Sequence, residues 1–170
     1  MSCRRGPPVG RAFPLSFKAN NNMKKLTLGL ALAAAVFGAA LPAQARDTKL
    51  MLPLEGALAD NNAKERLGDS VKFYFGDQKT PKVLQKLGTD QTNQKTNSFG
   101  KSAETACNWA FLSAMLRLQA RAQQLGANAV VNIVSNYKNI EHSSATEFEC
   151  HDGAMMTGVA LKGDFVKIKE

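Results

Sequence analysis

The sequence predicts a small α+β domain: a mostly antiparallel sheet of about five strands with one long amphipathic helix packed across it. Three observations lead to this fold class. Apolar side chains recur at helical spacing through residues 111–125. Residues 71–75, 129–134 and 146–151 instead alternate with the two-residue period of strands. The resulting element order, ββαβββ, places one helix between two groups of strands.

The first part of the exported chain, residues 46–69, is weakly patterned. Pro53 interrupts its apolar positions, and residues 57–67 favour one or two short helical turns. We therefore expect an N-terminal arm that packs on the edge of a domain formed by residues 70–170.

Two strands are predicted before the helix. Residues 71–75 are rich in aromatic and branched side chains, which is typical of a half-buried strand. Residues 83–95 begin apolar and become strongly polar from Thr89 to Lys95, which indicates an edge strand and a candidate surface for strand pairing with a partner. Residues 97–106 are expected to be a loop.

The central helix has one apolar face with spacings of three and four residues. Its members are Phe111, Met115, Leu118, Ala122 and Leu125. Arg117 and Arg121 fall on the opposite side, and Gly126 follows where a left-handed closing residue is favoured. A strand then begins in which Ala129, Val131 and Ile133 share one face by simple alternation.

The C-terminal part is predicted to be a polar turn and two strands. Residues 139–144 form the turn, and residues 146–151 form a strand that places Phe148 and Cys150 on one face. Asp152 and Gly153 are then expected to make a hairpin turn before the last strand, residues 155–162.

The N-terminal residues predict export. Residues 23–45 contain a basic start, an uncharged apolar run of 16 residues and the small-residue cleavage pattern Ala43-Gln44-Ala45. This is a signal peptide cleaved after Ala45, so the protein is expected in the periplasm or secreted, with no membrane span after cleavage. Residues 1–22 do not fit a signal peptide and are interpreted as an artefact of an upstream start codon.

Removing the signal peptide changes the charge argument. Six of the 22 Lys and Arg residues, and none of the 14 Asp and Glu residues, precede residue 46. The formal charge therefore falls from +8 to +2 in the mature chain of 125 residues, and no basic stripe remains. We expect no binding to nucleic acid.

A family resemblance rests on the helix end and the next strand, Leu125-Gly126-Ala127-Asn128-Ala129-Val130-Val131, with Cys150 and a Gly-Val-Ala-Leu strand after it. These residues resemble the small βαβββ domain of the YbjQ-like heavy-metal-binding family and of the RcsF family of envelope-stress lipoproteins, over residues 71–165. The chain is also similar to small exported bacterial proteins labelled excinuclease ATPase subunit. The resemblance implies an envelope-related role; RcsF differs in its lipid anchor and its four domain cysteines.

The mature chain has two cysteines, Cys107 and Cys150, and an even pair in an oxidising compartment predicts a disulfide. Disulfides in the corresponding region of RcsF agree with this. The competing interpretation is a zinc or copper site made of Cys107, Cys150, His142 and His151. Adjacent Cys150 and His151 should point to opposite faces of a strand, and no close Cys or His pair supports a metal site, so the disulfide is favoured.

Gly100-Lys101-Ser102 resembles the end of a phosphate-binding loop, but the glycine required five positions earlier is replaced by Lys95. We therefore interpret Ser102 as part of a helix cap. No catalytic residues and no cofactor are assigned. The sequence favours a non-enzymatic module that binds an envelope protein or a second copy of itself, with a metal-binding or metal-responsive role as the alternative.

Overall fold

The computed structural model describes residues 46–169, which form seven strands and three helices. In chain order these are β1 (Asp47–Pro53), α1 (Leu54–Ala59), α2 (Ala63–Leu67), β2 (Lys72–Phe75), β3 (Val83–Asn97), α3 (Ala103–Leu125), β4 (Ala129–Tyr137), β5 (Ile140–His142), β6 (Glu147–Gly153) and β7 (Met156–Ile168). The α+β class is confirmed. The sheet is larger than expected, and it is mixed because β2 runs parallel to β4.

Strand β7 is the centre of the sheet. It pairs with β3 along one side and with both β6 and β4 along the other. β1 extends the sheet beyond β6, while β2 and β5 extend it beyond β4. Among the described strands, β3 pairs with β7 alone, so its predicted place at a sheet edge is confirmed.

Helix α3 covers one face of this sheet and supplies most of the core. Four of the five residues on its predicted apolar face are at most 2% exposed, and Leu125 is partly buried. Phe111 packs against Phe148 of β6, with 4.4 Å between the ring centroids. None of the helices in the described part of the chain has the length and hydropathy needed to cross a bilayer.

Both ends of α3 follow the sequence signals. The Ser102 hydroxyl accepts a hydrogen bond from the backbone N–H of Thr105 at 3.1 Å, which satisfies one of the free donors of the first turn. Gly126 closes the helix with a φ of 70°, a conformation that a side chain disfavours. The loop expected over residues 97–106 is shorter, because the helix begins at Ala103.

Residues 47–53 of the predicted N-terminal arm form strand β1 at an edge of the sheet, and this strand was not predicted. All seven residues pair with β6, from Asp47 opposite Gly153 to Pro53 opposite Glu147. The two short helical turns that follow, α1 and α2, agree with the prediction. The strand was missed because its alternation is irregular in sequence; only Leu50 and Leu52 pack against the core.

A bulge in β4 overturns the simple alternation expected after Gly126. Asn132 adopts a φ of 51°, and the register with β7 shifts between Val131 and Val134. As a result, Val130 and Ile133 both lie in the core beneath α3. Ala129 and Val131 instead pack on the opposite face of the sheet, where Val166 lies.

The C-terminal turns are also placed differently. The expected polar turn, residues 139–144, contains strand β5, which pairs back onto β4. Asp152 and Gly153 belong to β6, and the hairpin turn lies two residues later, at Ala154 and Met155. The last strand, β7, extends to Ile168 because it pairs with β3 over nearly its whole length.

Candidate functional site

The predicted cysteine pair is bonded. Cys107 in the first half of α3 and Cys150 in β6 lie 5.9 Å apart at their Cα atoms, with 2.03 Å between the sulfur atoms. Both residues are fully buried, and Cys150 shares the helix-facing side of β6 with Phe148, as expected. A crosslink over a separation of 43 residues stabilises the folded state by about 4 kcal/mol through the entropy of the unfolded chain.

The four residues of the alternative metal set do not form one site. The two sulfur atoms are bonded to each other in the core, whereas His142 is exposed on β5. His151 lies on the face of β6 opposite Cys150, next to Asp47 and Glu149. Within residues 46–169, no group of three or more His, Cys, Asp or Glu side chains is arranged to hold a metal ion.

The Gly100-Lys101-Ser102 segment immediately precedes α3. Ser102 is the N-cap, and the Lys101 ammonium donates to the carbonyl oxygen of Asn97 at 2.9 Å. Both side chains therefore have a local structural role in the loop between β3 and α3.

Sequence reasoning missed a polar cluster on the face of the sheet away from α3. His151 Nδ1 lies 2.6 Å from a carboxylate oxygen of Asp47, and Nε2 lies 2.8 Å from one of Glu149. The Tyr137 ring stacks on the imidazole, and its hydroxyl donates to Asp47 at 3.0 Å. Lys49 approaches the other Glu149 oxygen at 2.6 Å. Asp47 and His151 are far apart in sequence, so no local pattern could have joined them.

The electrostatics of this cluster favour the ionised carboxylates and the neutral phenol. The hydrogen bond from His151 holds the pKa of Asp47 below its ordinary value of 3.8. Burial alone raises the pKa of Glu149, but hydrogen bonds from Lys49 and His151 outweigh it and bring that pKa below 4.5. Burial and the acceptor Asp47 raise the pKa of Tyr137 above 10.0.

This cluster links strands of the sheet. Each ring nitrogen of His151 faces a carboxylate oxygen, one from Asp47 and one from Glu149. The cluster joins β4 to the paired strands β1 and β6, with which β4 shares no ladder.

Two clefts lie beside the helices. The larger, of about 770 Å³, is bounded by α1, α2 and β2 and has apolar walls that include Leu58, Leu67 and Phe73. The second, of about 410 Å³, lies between α3 and the polar half of β3. Arg117, Arg121 and Gln124 line it from the helix, and five consecutive strand residues, 90–94, line it from the sheet.

Comparisons with models of protein families and with curated proteins found no match to this chain.

Proposed function

We propose that the chain is an exported, non-enzymatic binding or assembly module of the bacterial envelope, held together by one disulfide. The observation that carries this proposal is the Cys107–Cys150 bond in the centre of the core. Disulfides form and persist in oxidising compartments such as the periplasm and are rare in the cytosol. A buried bond between the helix and the sheet serves the fold and is not exposed for redox exchange.

The predicted signal peptide supports the same compartment. The predicted signal peptide, residues 23–45, lies outside the described residues, as does the segment 1–22. If cleavage follows Ala45, the mature chain begins one residue before β1. The Arg46 side chain pairs there with the largely buried carboxylate of Asp152 at 2.8 Å.

Membership of the YbjQ-like and RcsF group is part of this proposal. It is supported by a helix that ends at Gly126 and leads directly into a sheet strand, the feature on which the resemblance rests. A partner would be an envelope protein or a second copy of the chain, and the edge strand β3 is its proposed contact surface.

The proposal is tested by mass spectrometry of protein isolated from the cell envelope without reductant. We expect a chain that begins at Arg46 and is lighter by two hydrogen masses than its reduced form. A Cys107→Ser/Cys150→Ser variant is the control, since its mass should not change on reduction. Recovery of peptides from residues 1–22, or alkylation of both native thiols without reductant, would overturn the proposal.

A further inference from the structure

The cleft between α3 and β3 contains more positive charge than the protein itself neutralises. Arg117 and Arg121 lie one helical turn apart and both line the cleft. Arg121 contacts one carboxylate, that of Asp90, at 3.3 Å. For Arg117, no carboxylate of residues 46–169 lies within ion-pair distance. A guanidinium group has five donors, so most of the donors in this cleft are available to an incoming acceptor.

The other wall of the cleft is a strand edge. All five residues from 90 to 94 of β3 line the cleft. Because side chains alternate between the two faces of a strand, some of these residues must contribute main-chain atoms to the lining. β3 pairs with β7 on one side only, so alternate backbone N–H and C=O groups of this stretch face away from the sheet. The side chains of Thr92 and Gln94, which alternate onto the same face of β3 as Asp90, are polar and add hydrogen-bonding groups.

Asp90 shows what kind of group fits between these walls. One oxygen of its carboxylate accepts the backbone N–H of Gln91 at 2.8 Å, and the other contacts Arg121. A single carboxylate therefore bridges a main-chain donor of the edge strand and a guanidinium of the helix. Both Asp90 and Arg121 are nearly half exposed, so this contact is weakly held and can be exchanged.

We propose that this cleft receives an extended acidic segment of a partner polypeptide. The segment adds to the free edge of β3 and places a carboxylate against Arg117 and Arg121, where Asp90 now acts as an internal substitute. Main-chain hydrogen bonds to the edge provide affinity, and the arginine pair selects for negative charge. This inference rests on the proposed binding function and specifies its contact surface and the chemistry of its partner.

The test uses the disulfide-bonded protein and a short fluorescent peptide that alternates glutamate and valine. Fluorescence anisotropy should detect binding, while the same peptide with glutamine in place of glutamate should bind at least about tenfold more weakly. Arg117→Gln and Arg121→Gln should each weaken binding by about tenfold. Asp90→Asn should strengthen it several-fold, because the internal competitor loses its charge.

Arg66→Gln is the matched control. Arg66 is an exposed arginine that lies 5.9 Å from the centre of the Trp109 ring and outside this cleft, so its loss should leave peptide affinity unchanged. Equal binding of the glutamine peptide, or weaker binding by Asp90→Asn, would overturn the inference. Free glutamate that binds as tightly as the peptide would also overturn it, because the site would then hold a small anion and not a strand. None of these results affects the mass measurement that tests export and oxidation.

Discussion

The rings of Tyr137 and His151 stack with 3.3 Å between their centroids and 14° between their planes. Tyr137 ends β4 and His151 lies in β6, two strands that both pair with β7 but have no ladder between them. The stack, together with the hydrogen bond from the backbone N–H of Glu149 to the Ser135 hydroxyl, connects these two strands on the outer face. His151 is therefore expected to contribute to stability.

Replacing His151 tests that role. We expect His151→Leu to lower the free energy of unfolding by about 1–3 kcal/mol, because largely buried Glu149 loses one of its donors. Urea denaturation measures this change. His142→Leu is the control: His142 is exposed on β5, and its substitution should change stability by less than about 0.5 kcal/mol. Equal effects of the two substitutions would contradict the assigned role.

The same cluster predicts acid sensitivity. The pKa values of Asp47 and Glu149 lie below their ordinary values of 3.8 and 4.5 in the folded protein. These carboxylates therefore stabilise the fold fully above those values, and the stabilisation is lost as pH falls through the folded-state pKa values. Urea midpoints should fall as the pH is lowered below the ordinary values of 3.8 and 4.5. Glu149→Gln should make that fall shallower, and an unchanged slope would contradict the prediction.

Removal of the disulfide should lower the stability of the folded protein. We expect Cys107→Ala/Cys150→Ala to lower the free energy of unfolding by about 2–5 kcal/mol, because the unfolded chain regains the freedom that the crosslink removes. Denaturation of the native protein with and without reductant provides the comparison. Reduced native protein should be close in stability to the double variant. Full stability of the double variant would show that the crosslink contributes little.

Substitutions at Ser102 and Lys101 distinguish a helix cap from a phosphate-binding loop. We expect Ser102→Ala to destabilise the protein by about 1 kcal/mol, since the Thr105 N–H loses its acceptor. Lys101→Ala, which removes an exposed contact to Asn97, should change stability by less than about 0.5 kcal/mol. ATP hydrolysis by the purified protein that disappears in Lys101→Ala would contradict the cap interpretation.

The bulge at Asn132 can be tested with a matched pair. Asn132 has a φ of 51°, and its side chain donates to Asp164 at 3.1 Å. Asn132→Gly and Asn132→Ala both remove that hydrogen bond, but only alanine is strained at this backbone angle. We expect the alanine variant to be less stable than the glycine variant by about 1 kcal/mol in urea denaturation. The opposite order would contradict a requirement for positive φ.

Local signals in the sequence were accurate for helix α3 and for both of its ends. The buried face of α3, its Ser102 start and its Gly126 end depend on spacing and capping within a few residues, and all were predicted. The bond between the two cysteines was predicted from their even number and the oxidising compartment. The edge position of β3 was predicted from its polar composition. β1 and the bulge were missed because pairing with β6 and β7 overrides weak local preference.

The sequence alone determined the helix and the strand segments around it, because an element that buries one face has apolar residues at regular spacing. It also determined the cysteine pair, through the number of cysteines in the mature chain. The tertiary structure decided how the strands meet. It brought Asp47 to His151, shifted the face of β4 at Asn132, and placed Arg117 and Arg121 beside the edge of β3. These relationships join residues that are distant in sequence, and their energies depend on contacts that no local pattern encodes.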